Sequence, residues 1–530
     1  MDPRRYDLTG RARLFPILVG LGFCLGILQA EIRLPAVIGS HMVIQQDLPI
    51  QLWGWGEAGE TISVNFRGAS DSTQADAQGV WRIVLPPVKS DQQASALRIR
   101  GSSSPEISLQ DILVGEVWLC SGQSNMEWPL NRTHTPLPEI NRARYPQMRL
   151  FQIPRRTAYS PQEDVEAEWR ACAPDTVGGF SAVGYYFGRA LHERLEVPIG
   201  LIQSAWGGTR IEPWTPVSGF QAVPGLSDIL EEIAQGEGEY REILRRALPE
   251  WEAWMRSAKA ALLKEEIPSP APERPRHPLD TPQSPTALYN AMIHPIIPFA
   301  VQGAIWYQGE SNRNDGLRYK AKMEALIRGW RRVWDRDELA FLYVQLAPYN
   351  YAYNREETGG YVPDFLRLPL IWEAQQEMLD EPLTGMAVVT DITNLNDIHP
   401  RNKQEVGRRL SLWALAKTYG FADLVYSGPL FERMVREGGR IRLYFEHVGS
   451  GLVSLDGQPL NWFEIAGEER IFYKARAEIQ QESVVVWCSQ VPAPREVRFG
   501  WHQLAVPNLG NREGLPASPF RTDRWMPRPQ

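Results

Sequence analysis

Ser124 lies in the run Cys120-Ser121-Gly122-Gln123-Ser124-Asn125-Met126, at the end of an apolar stretch that begins at Glu116. A serine in a glycine-containing turn between a buried strand and a helix carries its hydroxyl clear of the sheet. Its own N–H is then free to face a developing oxyanion. Ser-Asn is also an ordinary helix cap, so the turn gains chemical meaning only beside a base. His399 is the best placed of the eight histidines. It follows an apolar strand and the loop Asp391-Ile392-Thr393-Asn394-Leu395-Asn396-Asp397-Ile398. Pro400 holds it extended, and Asn402 with Glu405 marks the start of a helix that buries Val406, Leu410 and Trp413. An imidazole base needs a carboxylate to fix its tautomer and stabilise its cation; Asp397 and Asp391 are the two candidates. Two further loops hold oxyanion donors. The paired Gly207 and Gly208 allow a backbone amide to approach a ligand closely, and Gln308 or Asn312 can donate from a side chain. These residue types are those of two-step acyl transfer, which needs no metal or organic cofactor.

The elements that must bring these residues together follow from hydrophobic period. Between residues 111 and 426, apolar strand-like runs at 112–119, 197–203, 300–307, 340–346 and 386–390 alternate with helical stretches at 184–195 and 314–334. That βαβ rhythm predicts a mostly parallel sheet with helices on both faces, whose sites gather at the carboxyl ends of strands. All four chemical loops leave such ends. A helical and Pro-rich insertion interrupts the domain at about 219–286. In it Trp251, Met255, Ala258 and Leu262 recur at helical spacing, and prolines crowd the return. Residues 31–110 read as short alternating strands with turn residues between them, which suits an antiparallel β-sandwich. Residues 427–530 read as a second β-rich domain.

Composition excludes several alternatives. The chain of 530 residues is 43% hydrophobic and 22% charged, a globular balance that rules out collagen, coiled coil and wholesale disorder. A net charge of -7 with no long basic run disfavours nucleic acid as partner. Arginines at 4, 5, 11 and 13 precede an apolar stretch at 14–28, and Ala30 offers a small residue for cleavage, so residues 1–30 read as a secretory signal peptide. The expectation is a secreted or periplasmic protein with no membrane association after its removal. Cys120, Cys172 and Cys488 then remain, too few for a disulfide framework and without metal-site spacing.

Gly122-Gln123-Ser124-Asn125-Met126, Trp206-Gly207-Gly208-Thr209, Tyr307-Gln308-Gly309-Glu310-Ser311-Asn312 and Ile398-His399-Pro400-Arg401-Asn402-Lys403 resemble the motif blocks of sialate O-acetylesterases. These belong to the SGNH group of serine hydrolases. The resemblance extends to His41-Met42-Val43-Ile44-Gln45-Gln46, to Leu288-Tyr289-Asn290-Ala291-Met292-Ile293-His294-Pro295 and to Gly514-Leu515-Pro516-Ala517-Ser518-Pro519-Phe520-Arg521-Thr522-Asp523, nearly the whole chain after the leader. It implies an α/β fold: a flavodoxin-like SGNH hydrolase domain between two β domains. It further implies Ser124 as nucleophile, His399 as base, oxyanion amides from Ser124 and the Gly207-Gly208 turn, and Gln308 or Asn312 as side-chain donor. Two departures stand out. Asn396 occupies the usual Asp position three before the histidine, and Gly309-Glu310-Ser311 replaces Gly-x-Asn. The implied substrate is an acetylated sugar or glycan. Trp206, Trp128 and Trp214 lie near the motif loops as faces for pyranose rings, and Arg210 is positioned in sequence to pair a sialate carboxylate. Acetyl xylan esterase and non-catalytic glycan binder are the competing readings; oligomeric state is left open.

Overall fold

The computed structural model describes residues 31–351 and 364–525; the leader-like residues 1–30 lie outside them. Seven strands form the central sheet: β1 (Ile107–Gly122), β2 (Tyr145–Gln152), β3 (Trp169–Cys172), β4 (Ile199–Ala205), β5 (Gly303–Tyr307), β6 (Ala340–Val344) and β7 (Thr384–Ala387). Their order is β7-β6-β5-β1-β4-β2-β3. Every neighbouring pair is parallel except β2 with β3. Taken in chain order, the six parallel strands lie 2-3-1-4-5-6 across the sheet, in place of the 2-1-3-4-5 order of flavodoxin-like folds. The first strand still lies at the middle of the sheet. Every residue of β4, β5 and β6 is buried, as expected of parallel strands covered on both faces.

The helices that matter to the site are α1 (Ser124–Glu127), α2 (Ala182–Leu195), α3 (Ser227–Leu262), α4 (Arg318–Trp334) and α5 (Lys403–Trp413). Asn402 caps α5 by accepting the Glu405 N–H at 3.2 Å, and Val406, Leu410 and Trp413 are buried as their spacing requires. In the insertion, α3 continues through Pro249 for 36 residues. Its first half is anchored, with Gly236 against Leu279 and Tyr240 against His277. Of the apolar positions further along, Ala258 is buried, whereas Met255 and Leu262 are exposed.

Before the central sheet, Ile50–Trp55 pairs antiparallel with Val80–Leu85, and Thr61–Phe66 lies between Ala69–Gln74 and Ser95–Gly101. The expected boundary between residues 110 and 111 falls inside β1. Residues 107–112 pair antiparallel with Ser95–Gly101, and after Asp111, at φ +58°, the strand enters the parallel sheet. Beyond residue 427 the antiparallel strands Leu430–Glu437, Arg440–Glu446, Ser483–Trp487 and Arg476–Gln480 form one sheet over their own core, which includes Ile441, Leu443 and Val484. Cys120, Cys172 and Cys488 are all free.

Candidate active site

The carboxyl ends of β1, β4, β5 and the strand before His399 meet at one edge. Gly122 makes the closest approach possible: its φ is +135°, and an added Cβ would lie 2.3 Å from the Tyr307 carbonyl oxygen. With that clearance the Gln123 N–H reaches the same carbonyl at 3.0 Å, and the chain turns into α1 with Ser124 at its first position. His399 Nε2 lies 2.9 Å from Ser124 Oγ, although 275 positions separate the two residues. The imidazole is stacked on the Trp128 ring at 4.9 Å between centroids and 20° between planes. Burial holds its pKa below the ordinary value, reinforced by the cation of Lys403 and opposed by Asp397. It is therefore a free base at neutral pH, the form that can accept the serine proton.

The two carboxylate candidates separate. Asp397 Oδ1 accepts the His399 backbone N–H at 3.0 Å and lies 3.6 Å from Nδ1. That spacing is long for a hydrogen bond but close enough for the charge to act on the ring. Asp391 is instead committed elsewhere: Arg409 Nη1 and Nη2 donate to its two oxygens at 2.6 Å each. The same guanidinium reaches Glu405 at 2.9 Å, so Asp391 ties α5 to the end of β7.

The oxyanion assignments need correction. Gln308 is fully buried; its Nε2 donates to the Thr209 carbonyl at 3.1 Å and to Asn312 Oδ1 at 2.7 Å, and its Oε1 accepts from the Tyr319 hydroxyl at 2.8 Å. Asn312 is equally spent. Its Oδ1 also accepts the Ile211 N–H at 2.9 Å, and its Nδ2 donates to Glu212 at 3.0 Å and Asp315 at 2.7 Å. Both amides stitch the loop after β5 to the loop after β4 and have no donor left for a ligand. The Gly207 N–H is also taken, by Glu127 Oε2 at 2.8 Å, although an added Gly207 Cβ would lie 3.1 Å from Ser124 Cβ. Among the described residues, no acceptor bonds the amides of Ser124 and Gly208, and Gly208 is exposed. The structural role of Gln308 makes a prediction. Gln308→Ala removes a bond from each of three buried groups, leaving the Thr209 carbonyl without a donor while Asn312 Oδ1 keeps the Ile211 N–H and the Tyr319 hydroxyl keeps the residue 308 carbonyl. It should lower the unfolding free energy by about 1–3 kcal/mol in urea denaturation. A hundredfold loss of kcat at unchanged stability would return it to the oxyanion hole.

The substrate-binding candidates fare unevenly. Trp206 is half-buried beside Gly207, but Trp214 is fully buried and cannot meet a sugar. Arg210 pairs with Glu212 at 2.8 Å and Asp315 at 3.2 Å, inside a network that Lys322 completes. A cleft of about 630 Å³ opens beside the serine turn, at the ends of β2 and β4; Glu127, Gln152, Arg155, Glu168, Arg170 and Gln203 line it.

Sequence reasoning passed over four residues that touch this machinery: Gln123, Asn125, Glu310 and Lys403. Gln123 Oε1 accepts the Gly309 and Ser311 amides, each at 3.3 Å. Asn125 bonds Glu310 and Lys403. Their signal was position alone: next to Ser124, two after Gln308 or four after His399. Among the described residues, no group of three or more His, Cys, Asp or Glu is arranged to hold a metal, and no helix is long and apolar enough to cross a membrane.

Comparison with known proteins places the chain among carbohydrate acetylesterases. The family model described as carbohydrate esterase, sialic acid-specific acetylesterase matches residues 114–260 and 279–366, leaving out part of the insertion. The rat sialate O-acetylesterase is 30% identical over 439 residues, which cover 75% of this chain and 76% of that protein. The human sialate O-acetylesterase is 30% identical over 446 residues, covering 76% and 74%. Among solved structures, a carbohydrate acetylesterase from Xanthomonas citri superposes with a TM-score of 0.76 at 35% identity, across 93% of this chain and 100% of that one.

Proposed function

The chain belongs to the carbohydrate esterase family of sialic acid-specific acetylesterases and is a carboxylic ester hydrolase, and on that premise we propose that it removes acetyl groups from sugar hydroxyls through an acyl-enzyme on Ser124. The single observation that carries this reading is the 2.9 Å contact between His399 Nε2 and Ser124 Oγ. His399 takes the hydroxyl proton as Oγ attacks the ester carbonyl, and returns it to the departing sugar oxygen. Water, activated by the same imidazole, then releases acetate from the acetyl-serine. Asp397, adjacent to Nδ1, stabilises the imidazolium that forms in each step. The free amides of Ser124 and Gly208 are the donors for the tetrahedral oxyanion. We read the assembly as an SGNH-type hydrolase domain flanked by two β domains, exported by its leader to the periplasm or beyond.

A second reading of the substrate has its own support. The guanidinium of Arg210, the sequence candidate for a sialate carboxylate, is already paired. The cleft that Glu127 and Ala205 line, next to the serine turn, carries Glu127, Glu166 and Glu168 against Arg155 and Arg170, so its lining has no surplus of positive charge. Polar amides and mixed charges with one carboxylate in excess suit the hydroxyls of a neutral acetylated polysaccharide, xylan included, and an open cleft admits a polymer. A panel of 9-O-acetyl sialic acid, acetylated xylan and a simple aryl acetate tests both readings. The expected result is kcat/KM on one of the sugar esters well above that on the aryl ester. Preference for the aryl acetate would remove the carbohydrate assignment, and the ranking of the two sugars decides between sialate and polysaccharide.

A further inference from the structure

Behind the imidazole lies a polar cluster to which the acyl-transfer steps assign no part. Lys403, the first residue of α5, is fully buried, and its Nζ donates to Asn125 Oδ1. Through Nδ2 the same Asn125 donates to Glu310 Oε1, and to the Ile398 carbonyl at 3.1 Å. One amide side chain therefore joins the turn that carries Ser124, the loop after β5 and the loop that carries His399. Among the described residues no carboxylate lies within ion-pair distance of the Lys403 ammonium. It sits instead over aromatic faces, 5.1 Å from the Tyr307 ring centroid and 6.0 Å from that of Trp128, the ring on which His399 stacks. Glu310 Oε2, also buried, has no hydrogen-bond partner there. Burying an ammonium without a close counter-ion costs stability, and a fold that only needed packing at this point would have a methionine or leucine there.

We propose that Lys403 is a positioning residue for the esterase reaction: through Asn125 it fixes the Ser124 turn against the His399 loop, and it places a cation against the Trp128 ring on which the imidazole stacks. The inference rests on the Ser124–His399 reading above and adds to it a residue that touches neither substrate nor reacting atoms.

The charged and titratable groups around the pair are few. His399 is faced by Asp397 from its own loop, with Arg401 3.9 Å from that carboxylate, and by Lys403 from α5. Lys403 is faced by Glu310 from the loop after β5 and by Asp397. Burial pushes the Glu310 carboxyl above the usual carboxylate range and keeps the Tyr307 phenol protonated. Burial also brings Lys403 down to about 7, against which Glu310 and Asp397 act. Below that pH the side chain is an ammonium, which is the range in which an imidazole titrates, so the cation is present where its effect on His399 is read.

The test is kcat and KM against pH for the wild type, Lys403→Met and Lys403→Gln, with Ser124→Ala as reference. In the wild type the acid limb of kcat/KM should lie below 6.5, the ordinary imidazole value. Without the cation the limb should move up by about half a unit or more, since a like charge has been removed from beside the base. The plateau kcat should fall about tenfold or more with KM within about twofold, as for lost alignment rather than lost binding. Lys403→Gln keeps a donor for Asn125 Oδ1 and should recover part of kcat without restoring the limb; it carries the same test if Lys403→Met does not fold. A merely structural lysine would lower the melting temperature and leave the limb in place, and that result in folded variants overturns the proposal. Turnover that persists in Ser124→Ala would instead sink the underlying esterase reading, so the two failures are distinguishable.

Discussion

Ser124→Ala is expected to lower kcat on an acetylated sugar by about 10⁴- to 10⁶-fold while substrate still binds, because the acyl-enzyme has no other atom to form on. Gly207 packs against the Ser124 side chain and the turn is held by the Gln123–Tyr307 backbone bond, neither of which uses the hydroxyl. The alanine variant should therefore keep its fold and its affinity. Single-turnover kinetics and equilibrium binding of an acetylated oligosaccharide measure the two sides separately. A variant that retained a tenth of wild-type kcat would remove Ser124 from the reaction.

Asp397→Asn should have the next largest effect, a fall in kcat of about 10²- to 10⁴-fold, the upper figure being that of a fully hydrogen-bonded triad aspartate. The reason for the range is geometric. Asp397 lies 3.6 Å from Nδ1, so its help is mostly charge, while its bond to the His399 backbone N–H shapes the loop and survives in asparagine. Asp391→Asn gives the contrast. It leaves the buried Arg409 guanidinium short of a counter-ion and should reduce stability with kcat within a few-fold. The opposite ranking of the two variants in kcat would make Asp391 the group that orients His399.

Much of the sheet was legible because buried parallel strands are plain apolar runs: β4, β5 and β6 follow directly from residues 197–203, 300–307 and 340–346. β2 was not. Its sequence Tyr145-Pro146-Gln147-Met148-Arg149-Leu150-Phe151-Gln152 is broken by a proline and by an arginine that looks solvated. In the fold Arg149 is buried and bonded to Asp111 at 2.6 Å and to the His41 carbonyl at 3.3 Å, partners distant in sequence. At the site, the serine, the histidine and the turn glycines were readable because each occupies a loop at a strand end. The amides were not: Gln308 and Asn312 have the chemistry of oxyanion donors, and only coordinates reveal that Thr209, Ile211, Glu212, Asp315 and Tyr319 already use it. Nor was the engagement of Asp391 by Arg409 legible, a helical residue with no local cue that it would reach back to the strand end.

The strand that leads to the nucleophile begins as a member of a front sheet, the antiparallel one of Ser95–Gly101 and Thr61–Phe66, and turns at Asp111. Pulling the front sheet away would tug on the backbone that leads to the serine, so the two layers are mechanically in series. A circular permutation or domain graft made at that bend would sever a shared beam rather than a tether, and recombination among related esterases would leave this junction intact while exchanging parts elsewhere.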